Sequence, residues 1–528
     1  MRSYQMKFIN YAAISLALIM LNQFAQAQIT PDSIKFVRQA TKRMVFDDDQ
    51  SIQLSTLDPK TIVGLSVMHP VTHYTSEHAK ITLEKNELLL IESERESQTA
   101  IWLGGFNPFA TYTLNLDSGV GDGEVGFEFT SPINAERMVI VEQFKDSLII
   151  GLQLSVFDAE GNLITDESIA TANLKEQKVS KGNIILQMLG SGLVLYAKHE
   201  GLPKVIGQAD FNKYIDLRKK KYIHSFQSRL YAKLKGGAIK VKRAEISLTT
   251  GVGLADIRPI TYENGEPLLD NGKIWYTMSI RGRALPHHLQ GVFSMNPSVF
   301  DIKLEGIIVF DRQDSLLRNE IASHIFFDRN DKVWRGVTTG FSAFANPEKE
   351  EKQLLLVESE TDPRFGFSIM NAKPFNITGD IEDPHILYDA HDKKWRMVAC
   401  KNQNGYKAIM LESRYWNKNY RQIAGPVTHN STGTSLQMIG DKRYCFSGSS
   451  DKQIYIYTYP DLKEAGTLKM DLPPWDEQAG TRVWPNVVQM PNGYPFKYIA
   501  LMMDRVNYPE MQEPNWTYGA LYLYHGYE

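Results

Sequence analysis

The sequence predicts an all-β chain, with an N-terminal β-sandwich followed by a five-bladed β-propeller. Three observations carry this. The C-terminal half repeats a polar turn followed by an aromatic-rich strand, in NGKIWYTMSI, NDKVWRGVTT, HDKKWRMVAC, GDKRYCFSGS and GYPFKYIALM. The anchoring aromatics Trp275, Trp334, Trp395, Tyr444 and Tyr498 lie 59, 61, 49 and 54 residues apart. That spacing suits several strands per unit, and units too small to bury both faces must stack on their neighbours. Second, residues from about Thr61 to Leu248 read as many strands without that repeat. Third, the pattern changes at Gly251-Val252-Gly253, the expected domain boundary.

In chain order, Met1 to Ala27 reads as a signal peptide, with Arg2 and Lys7 before an apolar run from Tyr11 to Leu21 and an A-x-A site at Ala25-Gln26-Ala27. The mature chain is expected to begin at Gln28, secreted or periplasmic, and no Cys follows the run to suggest a lipid anchor. Residues 28–250 are assigned to the sandwich, with Ile29 to Asp58 as a lead-in helix or edge segment. Within it, Ile81-Thr82-Leu83 and Leu88 to Ile91 flank a Lys85-Asn86 turn. Val125 to Thr130 and Ala238 to Leu248 alternate with period two. Long strands of this kind resemble a concanavalin-like jelly roll. Residues 251–528 are assigned to the propeller, whose ring a strand from each chain end is expected to close.

Composition narrows the function. The chain has 528 residues, 43% hydrophobic and 23% charged, with a formal net charge of −3. Nothing in that balance calls for nucleic acid as a partner. Cys400 and Cys445, the two cysteines, read as small buried hydrophobes, not as a disulfide framework or zinc site. No cofactor and no metal site is indicated, and no later segment reads as a transmembrane helix.

The second and third repeats align without gaps, SHIFFDRNDKVWRG on PHILYDAHDKKWRM, so that His324 matches His385 and Trp334 matches Trp395. The stretch before each turn is the blade's inner strand, whose first residues face the funnel. In the first blade these run from Leu254 to Pro259 and include Asp256 and Arg258. In the third they are Asp380-Ile381-Glu382-Asp383-Pro384-His385.

Here the chain resembles the five-bladed propeller glycosidases, glycoside hydrolase family 43 and its relatives, from about Leu254 to the end. The resemblance rests on Ala255-Asp256 opening the first blade and Glu382-Asp383-Pro384-His385-Ile386 opening the third. It implies that Asp256 is a general base and Glu382 a general acid, acting on a poly- or oligosaccharide with inversion. Such chemistry needs one carboxylic acid to protonate the leaving oxygen and one carboxylate to activate water, roughly 6.5–9.5 Å apart in inverting enzymes. The family also places an Asp at the start of the second blade to tune the acid. Here Ala322-Ser323-His324 stands there, with Glu320 as a possible substitute two residues earlier.

The other candidate site residues are substrate-binding. His324 and His385 occupy equivalent places and are candidates for sugar hydroxyls or a carboxylate, or for a repeated structural bond. Arg258 and Arg482 are the basic candidates, Arg482 for an acidic sugar or ring oxygen, with Trp484 as a stacking face. Salt bridging and blade packing are the alternatives for these. His287-His288 are expected on an exposed loop. Two other functions stay open: a non-catalytic glycan-binding protein, and a polysaccharide lyase using His or Tyr with Arg.

Overall fold

The computed structural model describes residues 30–57, 59, 73–84, 88–176 and 180–528. The expected signal peptide, its cleavage point and the Lys85-Asn86 turn lie outside the described residues. The chain is nearly all β, with a single short α-helix, Lys220–Ser225, among those residues. None of their helices is long and apolar enough to cross a membrane.

The repeat becomes a set of four-stranded antiparallel meanders. The first consists of Leu254–Pro259, Lys273–Arg281, His288–Asn296 and Asp301–Asp311. The second runs through Ile321–Asp328, Val333–Thr339, Gln353–Ser359 and Gly366–Thr378, and the third through Ile381–Asp389, Lys394–Asn402, Tyr406–Ser413 and Arg421–Ala424. The fourth consists of Thr432–Ile439, Lys442–Gly448, Ile454–Thr458 and Glu464–Thr467. The fifth takes Val487–Gln489, Tyr498–Met503 and Leu521–Tyr527 from the C-terminus and completes itself with Lys35–Lys42. That last pairing is antiparallel, from Lys35 against Tyr527 to Lys42 against Leu521. Residues 35–42, assigned to the sandwich lead-in from sequence, therefore sit in the C-terminal sheet.

Every anchoring aromatic of the repeat falls on the second strand of its meander. There it packs into a core shared with a neighbour. Trp275 and Trp334 join one layer between the first and second meanders, with Ile260, Val292, Ile325 and Val357. Phe326 and Trp395 belong to the next layer, Leu387 and Cys445 to the one after, and Tyr444 with Tyr498 to the fourth. Leu254 and Ile257 meet Ile499 and Leu501 in the largest core, which brings the fifth meander back to the first. The first strands of successive meanders lie side by side in the same order. Cys400 and Cys445 are buried and free, Cys445 as a small apolar residue of the third layer and Cys400 with its sulfur 3.6 Å from the Thr434 hydroxyl.

Residues before Leu254 build a twelve-stranded sheet around three long strands, Leu89–Gly105, Thr111–Thr130 and Gln227–Leu248. Where the last two cross a bulge, Gly121 (φ +85°) pairs with Gly237, beside Gly236 (φ +119°). A Cβ on Gly121 would sit 2.3 Å from the Gly236 carbonyl oxygen, so the backbones approach only without side chains. Ile52–Leu57 pairs with Gln227–Leu248 and extends this sheet. The sheet and the meanders share the largest core. Polar ties reinforce it: Arg283 donates to both carboxylate oxygens of Asp210 at 2.6 and 2.7 Å, and Asn212 Nδ2 donates to the Ala345 carbonyl at 2.8 Å. His287, 3.2 Å from Asp210, and His288, the first residue of its strand, are buried at this junction and not on an exposed loop, because this corner of the first meander docks on the twelve-stranded sheet.

Candidate active site

Four of the meanders open their first strand with the same irregularity. The register shifts between Ala255 and Arg258, Ile321 and His324, Glu382 and His385, and Thr432 and Ser435. Inside each shift one residue adopts positive φ: Asp256 at 52°, Ala322 at 56°, Asp383 at 57° and Gly433 at 61°. Such backbone is uncommon for a residue with a side chain and marks a bulge that re-aims it. The structural partner of Asp256 in the third meander is therefore Asp383, and Glu382 is its chain neighbour.

These strand starts border a cavity of about 620 Å³, a volume suited to a small ligand. Asp256, Glu382, Asp383, Arg482 and Trp484 line it. Both oxygens of Asp256 accept from Arg281 Nη2, at 2.9 and 2.8 Å, and the same nitrogen lies 3.1 Å from the Tyr518 hydroxyl. Glu382, 8% exposed, accepts from Lys352 Nζ at 2.9 Å and lies 3.8 Å from Arg482 Nη1. Lys352 also reaches Asp380 at 2.6 Å and the Tyr406 hydroxyl at 2.9 Å. Asp383 Oδ2 is held by the fourth meander, through the Gly433 N–H at 2.8 Å and the Thr432 hydroxyl at 3.1 Å.

The electrostatics distinguish Glu382. Burial first, and then the adjacent Asp383, push its carboxyl above the ordinary range, against Lys352 and Arg482. Desolvation and a like charge both disfavour ionisation, which favours the protonated form that a proton donor needs. Removing the opposing cation has a defined consequence. In Lys352→Met the high-pH limb of kcat/KM is expected to move to higher pH, because the proton is then held more tightly. A limb that stays put, or moves to lower pH, counts against Glu382 as the titrating group.

Three residues expected at the cavity do not line it. His324 and His385 are fully buried and stack on each other, with ring centroids 3.9 Å apart. His324 Nδ1 accepts the Ile386 N–H at 3.2 Å, and its Nε2 lies 3.2 Å from the Thr261 hydroxyl. Burial lowers both imidazoles, His324 to about 3. Their repetition reflects the joint between neighbouring strands, the structural alternative. Arg258 is likewise buried. It donates to the carbonyls of Thr434 (2.5 Å), Asp383 (2.9 Å) and Gly433 (3.2 Å). Its guanidinium lies 4.8 Å from the ring centroid of Trp484. Trp484 reaches the cavity wall but is 1% exposed, with Nε1 donating to the Ile257 carbonyl at 2.7 Å. Arg258 and Trp484 thus pin the strand starts that carry Asp256 and Asp383. Glu320 does not substitute for the second-blade acid: it is buried against Ser342, accepting its N–H at 2.8 Å and its hydroxyl at 2.7 Å.

Sequence reasoning missed Arg281, Lys352, Tyr406, Arg505, Trp516 and Tyr518, all on the cavity wall. They come from strand ends and loops outside the repeated hairpin, so the repeat carried no signal for them. Asp383 was legible, since the gap-free alignment sets it opposite Ala322.

No family model matches the chain, and no curated protein matches it. Over about half its length the chain is similar in structure to GH43 and GH117 glycoside hydrolases, the resemblance read from its motifs. A GH43_1 enzyme from Xanthomonas citri shares 10% identity at a TM-score of 0.36, covering 51% of this chain and 87% of that one. A family 117 glycoside hydrolase from the marine bacterium Zobellia galactanivorans shares 10% at 0.36, covering 52% and 84%. A GH43 β-xylosidase/α-arabinofuranosidase from a compost metagenome, in complex with xylotriose, shares 12% at 0.35, covering 53% and 91%.

Proposed function

We propose that the protein is a glycoside hydrolase whose acid is Glu382 and whose base is Asp256. The observation that carries this reading is one cavity bordered by two nearly buried carboxyls from different meanders. One of them is raised above its ordinary range by burial and Asp383. Asp383 supplies the neighbouring charge that the family takes from the second blade, where this chain has Ala322. The five meanders are read as blades of a propeller closed by residues 35–42, and the twelve-stranded sheet as a sandwich that supports it. Domain limits of 28–250 and 251–528 then hold except for that closing strand. Export through cleavage after Ala27 completes the reading, and mass spectrometry of the secreted protein is expected to find Gln28 first.

In this mechanism Glu382 protonates the glycosidic oxygen as the bond breaks. Asp256, oriented by Arg281, takes a proton from water attacking the opposite face of the sugar. The first product is the inverted anomer. The test is a panel of plant, algal and host glycans, with released sugars and their initial anomeric form read by NMR. Retention, or release of unsaturated sugars by elimination, would refute the assignment. The glycan-binding alternative draws on Ala322 at the place of the second-blade acid. It predicts saturable binding of a glycan that is never cleaved.

A further inference from the structure

A second cavity of about 570 Å³ adjoins the first and shares with it Tyr406, Arg482, Arg505, Trp516 and Tyr518. The two differ in charge. Asp256, Glu351, Asp380, Glu382 and Asp383 line the first, together with Arg281 and Lys352. No carboxylate is among the described residues lining the second, and its charged groups are Arg482 and Arg505. The rest of its polar wall is neutral amides and hydroxyls, including Asn430, Gln478 and Asn515.

Arg505 is 7% exposed and makes no ion pair among the described residues. Its Nε–H donates to the Arg482 carbonyl at 2.9 Å, and its guanidinium lies 4.2 Å from the Tyr518 ring centroid. Burial, with the like charges of Arg482 and Arg281 and against Tyr518 and Asp256, holds its pKa below the ordinary arginine value. A desolvated cation with no carboxylate at contact distance is costly, and an anion entering beside it offsets that cost. Arginine presents a planar fork that suits carboxylate and sulfate oxygens. Trp516, 37% exposed, offers a flat face at the junction of the two cavities.

We propose that the second cavity is a subsite for an anionic sugar residue, its carboxylate or sulfate held by Arg505 and Arg482 and its ring lying on Trp516. The first cavity sets its acids against Arg281 and Lys352, whereas the described wall of the second has arginines and no carboxylate, so the charged residue occupies the adjoining space and the one cleaved is neutral. This rests on the hydrolase reading of the first cavity.

The experiment is calorimetric binding to the Glu382→Gln protein in two arms. One uses galacturonan oligosaccharides beside their carboxyl-reduced forms. The other uses carrageenan oligosaccharides beside their desulfated forms. In at least one arm the anionic form is expected to bind about tenfold or more tightly than its neutral counterpart, with a preference that shrinks as salt rises. Arg505→Gln is expected to abolish the preference. Gln478→Glu alters an exposed wall residue, leaves the arginines in place, and is expected to weaken it by adding a like charge. Equal binding of neutral forms, a preference that survives both substitutions, or binding in neither arm overturns the subsite. Turnover by the unsubstituted protein separates the two ideas. Selective binding of an anionic glycan that is never cleaved overturns the hydrolase reading alone. Cleavage of neutral glycans without charge preference overturns the subsite alone.

Discussion

Glu382→Gln is expected to lower kcat by about 10²–10⁴-fold on a natural glycoside, the usual contribution of a positioned general acid. The substitution keeps the shape and one acceptor for Lys352 and removes the transferable proton. KM should change far less, because the lost interaction develops as the bond breaks. The leaving group supplies a sharper readout. An aryl glycoside departs as a stable phenolate and needs little protonation, so its rate should fall much less than that of an alkyl or sugar glycoside. The high-pH limb should also disappear. Glu382 lies above the ordinary carboxyl range through burial and Asp383, so activity in the unsubstituted protein is expected to fall as pH rises through that raised value. Equal losses on aryl and sugar leaving groups would mean that Glu382 positions the substrate and donates no proton.

Asp256→Asn is expected to cost a similar factor in kcat, about 10²–10⁴-fold, with no relief from a better leaving group. On the proposed assignment the lost step is activation of water, which every substrate needs. Asparagine tolerates the left-handed backbone at this position (φ +52°), so the bulge should persist. The ion pair does not: Arg281, 2% exposed, keeps an amide oxygen in place of a carboxylate. Removing one partner of a buried pair typically costs about 3–5 kcal/mol, so the melting temperature should fall as well. The double variant Asp256→Asn/Arg281→Met separates the two effects. It should recover part of the stability, since no unpaired buried charge remains, and none of the activity. Recovery of turnover along with stability would assign Asp256 a purely structural role.

Much of the architecture was legible because repeats advertise themselves. Trp275, Trp334 and Trp395 recur after polar turns, and each lies on the second strand of its sheet, where packing against a neighbour requires a large ring. The alignment of His324 with His385 was sound as an alignment and misleading as chemistry. Equivalent residues of adjacent meanders come into contact, and these two spend their surfaces on each other at 3.9 Å. Arg258 misled for a related reason. A cation two residues after Asp256 on the same strand reads as a ligand-binding group until three carbonyls are found around it.

By itself, the sequence determined the all-β class, the spacing of the repeating units and the two strand starts that carry Asp256 and Glu382. Each is encoded locally, in alternation, turn residues and aromatic anchors a few positions apart. Tertiary structure alone decided which groups meet across the cavity. Lys352 reaches Glu382 from a loop 30 residues away, Arg281 reaches Asp256 from the next strand, and Arg505 reaches the shared wall from near the C-terminus. The strand that completes the last meander comes from residues 35–42, at the other end of the chain. Tertiary packing joins residues distant in sequence, and no local pattern records which of them will share one desolvated space.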